Sequence, residues 1–123
     1  MALFSKLSFG HKVEGDILHI TYTGKIRRKE ILEIMSKVYK LVDLHKSKKI
    51  LIDALKSDVF LEVNDIVAMA KLHPASFKQA RTAVVEKPKN ESQYSLYQMA
   101  AENHDVNIKF FPNSTEAKAW LAS

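Results

Sequence analysis

A chain of 123 residues without any cysteine suits a single domain, residues 1–123, that folds without disulfides and has neither a thiol nucleophile nor a cysteine-based metal site. Lysine and arginine outnumber aspartate and glutamate by 19 to 14, and the net charge of +5 favours contact with anionic surfaces. The first fifteen residues hold only scattered apolar side chains, so they indicate neither a signal peptide nor a membrane span, and we expect a cytoplasmic protein.

The beginning of the chain predicts a β-hairpin followed by a long helix. Alternating apolar residues predict strands over residues 7–13 and 17–23, joined by a tight turn at residues 14–16. Apolar residues at helical spacing then predict an amphipathic helix from about Arg27 to His45.

The rest of the chain alternates strands with helices. Val63, Ile66 and Ala70 are expected to face inward from the second helix, which Pro74 ends. This order, ββαβαβαβα, predicts an α/β sandwich whose mixed, mostly parallel sheet of four to five strands is flanked by about four helices. The predicted strands are 50–53, 80–86 and 106–110, and the predicted helices are about 62–72, 91–103 and 113–123.

The C-terminal segment predicts how the fold closes. Phe111 interrupts the alternation of the last strand, which places the start of a turn there. Asn113 and Glu116 have the spacing of a capping box, so a helix is expected to begin at Asn113. Trp120 shares a face of this helix with Ala117 and Leu121, which predicts that Trp120 is a core anchor.

Three segments resemble the SpoIIAA-like branch of the STAS superfamily: GDILHITYTGKIRRKEI, KKILIDAL, and RTAVVEKP followed by VNIKFFPNSTEAKAWL. The resemblance covers nearly the whole chain, and its main features are the helix start after Gly24, the apolar strand ending at Asp53, and the closing sequence Ala119-Trp120-Leu121. It implies a fold of four or five strands flanked by helices, shared by bacterial regulatory modules and by lipid-binding domains of the CRAL-TRIO type. It implies no single activity.

One departure from that family pattern concerns phosphorylation. The resemblance implies a serine at the start of the helix after the central strand, in a pattern like Asp-Ser-Ser-Gly, but the matching stretch from Asp53 to Val63 lacks it. Ser57 could stand in for that serine, although an ordinary loop serine is the simpler interpretation.

A candidate binding site lies at the carboxyl ends of the central strands, where open α/β sheets hold their ligands. The loops after two strands that we expect to be adjacent carry Asp53, Lys56 and Ser57 on one side and Lys87 on the other. A carboxylate beside two lysines can orient a polar head group, so these four residues are predicted to border a ligand or partner site. The simpler interpretation is that Asp53 stabilises its own turn and that the lysines are solvated.

The sequence offers no pattern for catalysis or for a cofactor. The five histidines lack metal-ligand spacing, the glycines form no phosphate loop, and there is no nucleophile elbow. We therefore expect no enzyme activity, no catalytic residue, no metal and no cofactor. The basic run Lys25–Lys29 could contact an anionic partner or membrane surface, although a solvated helix start is the simpler interpretation. Nucleic-acid binding is not favoured, because aromatic residues do not interleave with the lysines of residues 46–49.

Two functions fit this sequence. The first is a non-enzymatic STAS-like regulatory or interaction module that binds a protein partner or a second copy of itself. The alternative is a small carrier that holds a lipid or another apolar ligand between helices and sheet, which requires a cavity of about 300 Å³ or more. The residues expected to line that cavity are aromatic or methionine: Tyr39, Phe60, Phe77, Tyr94, Tyr97 and Met99.

Overall fold

A six-stranded sheet forms the centre of the computed structural model, which describes residues 7–123. Residues 1–6, which belong to the predicted domain and to its N-terminal segment, lie outside the described residues. The strands are β1 (Ser8–Glu14), β2 (Ile17–Ile26), β3 (Lys49–Asp53), β4 (Ser57–Val59), β5 (Arg81–Val85) and β6 (Asn107–Phe111). The helices are α1 (Arg28–His45), α2 (Val63–Lys71), α3 (Ala75–Lys78), α4 (Glu91–Glu102) and α5 (Ser114–Ala122).

The sheet is mixed and mostly parallel, as predicted. The strands lie in the order β1-β2-β3-β5-β6, and β4 pairs with the second half of β2. Only the β1–β2 hairpin is antiparallel; every other pair in the described sheet is parallel. Two elements were not predicted, β4 and α3, because three or four residues are too few to show a strand or helix period.

Strand β2 is longer than predicted because it changes partner at Gly24. Residues 17–21 pair with β3, whereas Gly24, Lys25 and Ile26 pair with β4. Gly24 has a φ of 115°, a conformation that is strained for residues with a side chain. The glycine therefore lets one strand serve two neighbours, and it brings the segment after β3 back against the sheet.

Helices cover the two faces of the sheet unequally. The larger core lies under α1, α2, α3 and α4 and includes Leu18, Ile20 and Ile52. The smaller core lies under α5, where Leu51 and Val85 pack against Leu121. Strand β3 is covered on both faces, since consecutive residues of this strand belong to opposite cores.

Three residues differ from the sequence-based expectations. Phe111 is the last residue of β6 and pairs with Val85, because the parallel ladder continues past the point where the apolar alternation ends. Val63, expected to face inward, is exposed in the first turn of α2. Trp120 is only partly buried, because its ring lies at the margin of the smaller core, beside Phe111 and under the Arg81 guanidinium.

The expected cap of the last helix is present. Asn113 Oδ1 accepts a hydrogen bond from the Glu116 amide at 2.9 Å, and Asn113 Nδ2 donates to Glu116 Oε2 at 2.7 Å. The reciprocal bond thus comes from the asparagine side chain rather than from its backbone amide. Among the described residues, no helix is both long enough and apolar enough to cross a membrane.

Candidate functional site

The carboxyl ends of the central strands form an aligned edge. Asp53 is in register with Val85, and Val85 is in register with Phe111. The Lys87 side chain crosses this edge, because its Nζ donates to the backbone oxygen of Ser57 and to Asp58 Oδ1, the latter at 3.1 Å. The hydrogen bond from Lys87 lowers the pKa of the Asp58 carboxyl. The structure therefore brings two of the four predicted site residues, Ser57 and Lys87, into contact.

The other two predicted residues contribute mainly to the loop between β3 and β4. Asp53 Oδ1 accepts a hydrogen bond from the Leu55 amide at 3.1 Å, so this carboxylate stabilises its own turn. Lys56 is exposed, and its backbone oxygen accepts from the Gly24 amide at 3.4 Å.

Ser57 has a structural role in the same loop. It is fully buried, and its hydroxyl donates to the backbone oxygen of Ala54 at 2.7 Å. A kinase needs an accessible hydroxyl, so the folded chain does not present Ser57 as a phosphorylation site.

An apolar cavity of about 90 Å³ lies beneath this edge, between the sheet and helices α1, α2 and α4. Ile52, Val84 and Ile108 form its floor, because they lie on neighbouring strands and on the same face of the sheet. The aromatic rings of Phe77 and Phe110 are also part of its lining. None of the four predicted site residues lines this cavity.

A small group of polar residues lies at the end of the cavity that is nearest the carboxyl ends of the strands. Glu86 directly follows β5, and the strand alternation places it on the same face as Val84. It is 6% exposed, and its Oε1 accepts hydrogen bonds from the Lys87 amide at 2.8 Å and from Asn90 Nδ2 at 3.0 Å. Burial raises the pKa of the Glu86 carboxyl, and the two hydrogen bonds oppose that shift only in part.

Gln93, in the first turn of α4, adds an unpaired acceptor to this group. Its Oε1 is buried and has no hydrogen-bond partner among residues 7–123. Most buried polar atoms in native proteins are hydrogen-bonded, so an acceptor left open in a cavity is a candidate contact for a ligand.

A hydrogen-bonded chain of three side chains supports the cavity wall on the helix side. His73 Nδ1 is 2.6 Å from the Tyr39 hydroxyl, and its Nε2 is hydrogen-bonded to the Tyr97 hydroxyl. The imidazole also stacks on Phe77, with the ring centroids 4.6 Å apart. Burial lowers the pKa of His73 to about 4, so the imidazole is neutral at pH 7 and donates through one nitrogen while accepting through the other.

A second, open groove of about 370 Å³ lies between α1 and α2, beside the hydrogen-bonded side chains of Tyr39 and His73. Tyr39 and His73 line this groove, Met35 and Met69 line both the groove and the cavity, and the exposed side chains of Leu32 and Leu72 lie at the outer edge of the groove. In the part of the chain that the structure describes, no group of three or more histidine, aspartate or glutamate residues is placed to hold a metal ion.

The family model named SpoIIAA-like matches residues 17–122. The chain belongs to the SpoIIAA-like family. Its structure is similar to that of an uncharacterised protein of the DUF3478 family with a SpoIIAA-like fold from Shewanella loihica PV-4, with a TM-score of 0.61 and 19% identity over 98% of each chain. It is also similar to an anti-sigma factor antagonist from Mycobacterium paratuberculosis, with a TM-score of 0.64 and 10% identity over 96% of each chain.

At these identities the two solved structures support the fold alone. They agree with the mixed sheet described above and with the recognition of a SpoIIAA-like domain from the sequence. No curated protein matches the chain significantly.

The aromatic and methionine residues expected to line a cavity in this SpoIIAA-like domain separate into three groups. Phe77, Tyr94 and Tyr97 line the cavity. Tyr39 lines the outer groove instead. Phe60 and Met99 are exposed, because Phe60 lies in the loop after β4 and Met99 lies on the outer face of α4.

Sequence reasoning missed two polar residues of the cavity, Asn90 and Gln93. They lie in the 3₁₀ turn Pro88–Asn90 and in the first turn of α4, where polar residues are ordinary. Glu86 was the one available indication, since a carboxylate at the end of an apolar strand is placed where such sheets bind ligands.

Proposed function

We propose that this SpoIIAA-like chain is a non-enzymatic, cytoplasmic regulatory module that acts by binding a protein partner. Membership of the family supports a regulatory role, as does the fold shared with a protein named as an anti-sigma factor antagonist. The observation that carries the proposal is a set of exposed apolar side chains at the carboxyl edge of the sheet. Leu55 is 37% exposed, Phe60 is 57% exposed and Val63 is 62% exposed.

These three residues lie in one segment, 55–63, and the sheet holds that segment in place. Its middle is strand β4, and the amide of Phe60 donates to the backbone oxygen of Ile26 at 2.8 Å. A large aromatic side chain exposed on a braced loop suits a protein interface, because aromatic residues supply much of the binding free energy at interface centres.

Basic side chains surround the same segment and indicate the character of the partner. Lys25, Arg27 and Lys56 are exposed on β2, at the start of α1 and in the β3–β4 loop. Strand pairing places Lys25 beside Asp58, and Lys87 binds that aspartate from the next loop. We infer a partner that presents apolar side chains within an acidic rim, with Asp53, Lys56 and Lys87 at the border of the interface.

The test is site-specific photocrosslinking in the cells that make the protein. A benzophenone amino acid at position 60 should yield one dominant crosslinked protein, and the same group at position 44 should not. Leu44 is a matched control because it is an apolar residue, 72% exposed, near the C-terminal end of α1.

The captured protein is then purified, and its affinity is measured by titration calorimetry. Phe60→Ser should weaken binding at least tenfold, whereas Leu44→Ser should leave the affinity unchanged. Equal crosslinking from both positions, or equal affinity for both variants, contradicts the proposal. A crosslink to a second copy of the chain identifies self-association, and a crosslink to anionic lipid identifies a membrane surface instead.

The alternative function, a carrier for a lipid or another large apolar ligand, has weaker support. The cavity has the apolar walls that such a carrier needs, but its volume is about 90 Å³. Pockets that enclose drug-sized or larger ligands measure about 300 Å³ or more. A carrier that holds its ligand in this cavity would therefore require α2 or α4 to move away from the sheet. The groove between α1 and α2 exceeds that volume, but it lies open at the surface beside the exposed Leu32 and Leu72.

A further inference from the structure

We propose that the cavity beneath the carboxyl edge binds a small primary amine, whose ammonium group contacts Glu86 and Gln93 and whose short apolar body contacts the cavity walls. The exposed residues of the partner surface, Leu55, Phe60 and Val63, do not line the cavity, whereas Val59 and Leu61 of the same segment contribute to its wall.

The polar end of the cavity offers acceptors. Both hydrogen bonds that Glu86 accepts from residues 7–123 go to Oε1, which leaves Oε2 for a ligand. Gln93 Oε1 is buried and unpaired within the same described residues. An ammonium group carries three donors and can satisfy both oxygens, whereas a carboxylate ligand would add acceptors to acceptors.

Tyr22 and Tyr94 also line the cavity, and the hydroxyl of each can donate or accept a hydrogen bond. They fit an amine or an alcohol equally well. The sign of the ligand's charge therefore depends on Glu86.

The charges around Glu86 leave its carboxylate without a bonded cation. The charges of Lys87 and Lys89 lower the pKa of Glu86, but Nζ of Lys87 binds Asp58 and the Ser57 backbone oxygen instead. Lys89 is turned to the same aspartate, with Nζ 4.0 Å from Asp58 Oδ1. A buried carboxylate without a cationic partner is costly, and a cationic ligand supplies that partner.

The size and shape of the cavity limit the rest of the ligand. An apolar cavity of about 150 Å³ can hold benzene, so the 90 Å³ available here suits a shorter body of about four carbons. Ile52, Val84 and Ile108 offer only carbon atoms to that body, which excludes a second polar group at the far end.

The proposal is tested by nuclear magnetic resonance titration of the full chain at pH 7.5 with three probes of equal chain length: n-butylamine, n-butanol and butyrate. We expect n-butylamine to shift the amide signals of Glu86, Asn90 and Gln93 in a saturable way, with a dissociation constant on the order of 1 mM. We expect n-butanol to bind at least tenfold more weakly and butyrate to produce no saturable shift.

Two variants separate the site from general amine binding. Glu86→Gln keeps an Oε1 acceptor for Asn90 and the Lys87 amide but removes the charge, so it should weaken n-butylamine binding at least tenfold. Glu91→Gln removes the same charge at an exposed position in the first turn of α4 and should leave binding unchanged. If Glu86→Gln does not fold, Gln93→Leu removes the unpaired acceptor and should give the same loss.

Several results overturn the proposal. Butyrate or n-butanol binding as tightly as n-butylamine excludes the role of the carboxylate. Unchanged amine affinity in Glu86→Gln or in Gln93→Leu excludes the site. The absence of any saturable shift with n-butylamine excludes the ligand class.

Discussion

His73 shows how a buried polar side chain can stabilise the fold without serving a ligand. Its two ring nitrogens are bonded to the hydroxyls of Tyr39 and Tyr97, and its ring stacks on Phe77. These contacts join α1, the α2–α3 connection and α4. A scattered histidine in the sequence thus becomes a cross-link between helices once the chain has folded.

Acid should destabilise the protein through this histidine. Its pKa falls from 6.5 to about 4 on folding, because burial disfavours the imidazolium. The unfolded chain therefore binds a proton at a higher pH than the folded chain, and stability is lost as the pH falls from 6.5 toward 4. The loss should reach about 3 kcal/mol at the lower end of that window.

Urea denaturation at pH 7 and at pH 4.5 measures this loss, and His73→Gln is the reference protein. The glutamine variant can still form hydrogen bonds but does not titrate, so its stability should fall less between the two pH values. The lowered pKa of His19 acts equally in both proteins and cancels in the comparison. An equal loss in wild type and variant would show that His73 does not control the acid response.

At the scale of single elements, β2 depends on one backbone conformation. Gly24 has a positive φ where β2 changes partner from β3 to β4, and its amide donates to the Lys56 oxygen. A side chain at this position strains the backbone, so Gly24→Ala should lower the free energy of unfolding by about 1–2 kcal/mol.

Gly10→Ala is the matched control for that variant. Gly10 lies in β1, its φ is not positive, and a Cβ built on it meets no atom within 4 Å. The free energy of unfolding of Gly10→Ala should differ from that of the wild type by less than about 0.5 kcal/mol. Equal chemical denaturation midpoints for the two variants would contradict the role given to Gly24.

Helix α5 tests how far a sequence pattern predicts burial. Leu121 is fully buried on the smaller core, whereas Trp120 is only partly buried beside Phe111 and Arg81. Leu121→Ala should therefore cost about 2–5 kcal/mol, and Trp120→Ala should cost less, about 1–2 kcal/mol. The sequence had pointed to Trp120 as the anchor. Thermal unfolding of both variants gives the order, and a larger loss for Trp120→Ala would restore the sequence-based prediction.

For the whole molecule, the cavity implies a conflict between stability and binding. Burial raises the pKa of Glu86 on folding, so the folded chain holds this proton more tightly than the unfolded chain does. The contribution of Glu86 to the free energy of unfolding is therefore present at acid pH and is lost as the pH rises through the raised pKa. Its effect is opposite in sign to that of His73. At pH 7 the charged form is costly, and Glu86→Gln should be at least as stable as the wild type.

Saturating amine should reverse that order of stabilities. A ligand present at ten times its dissociation constant adds about 1.4 kcal/mol to the free energy of unfolding. n-Butylamine should therefore raise the melting temperature of the wild type clearly more than that of Glu86→Gln, as measured by calorimetry with sodium chloride at matched ionic strength. Equal shifts in both proteins would indicate a general solvent effect instead of a site.

The sequence by itself determined the α/β class, the mostly parallel sheet and the order of the longer elements, because these follow from the periods of apolar residues and from local turn and cap residues. It also indicated the SpoIIAA-like family, through the resemblance of three segments. Elements of three or four residues, such as β4 and α3, carry no period, so only pairing and packing decided them.

The tertiary structure alone decided which polar residues meet. The sequence placed Asp53, Lys56, Ser57 and Lys87 at one edge from strand ends alone. Folding used Asp53 and Ser57 to hold their own loop, and it turned Lys87 toward Asp58. The acceptors of the cavity, Glu86 and Gln93, come from a strand end and a helix start, and only the packing of α4 on the sheet brings them to one cavity. The burial of these polar side chains and their hydrogen-bond partners depend on contacts between distant segments, which a periodic pattern of apolar residues does not specify.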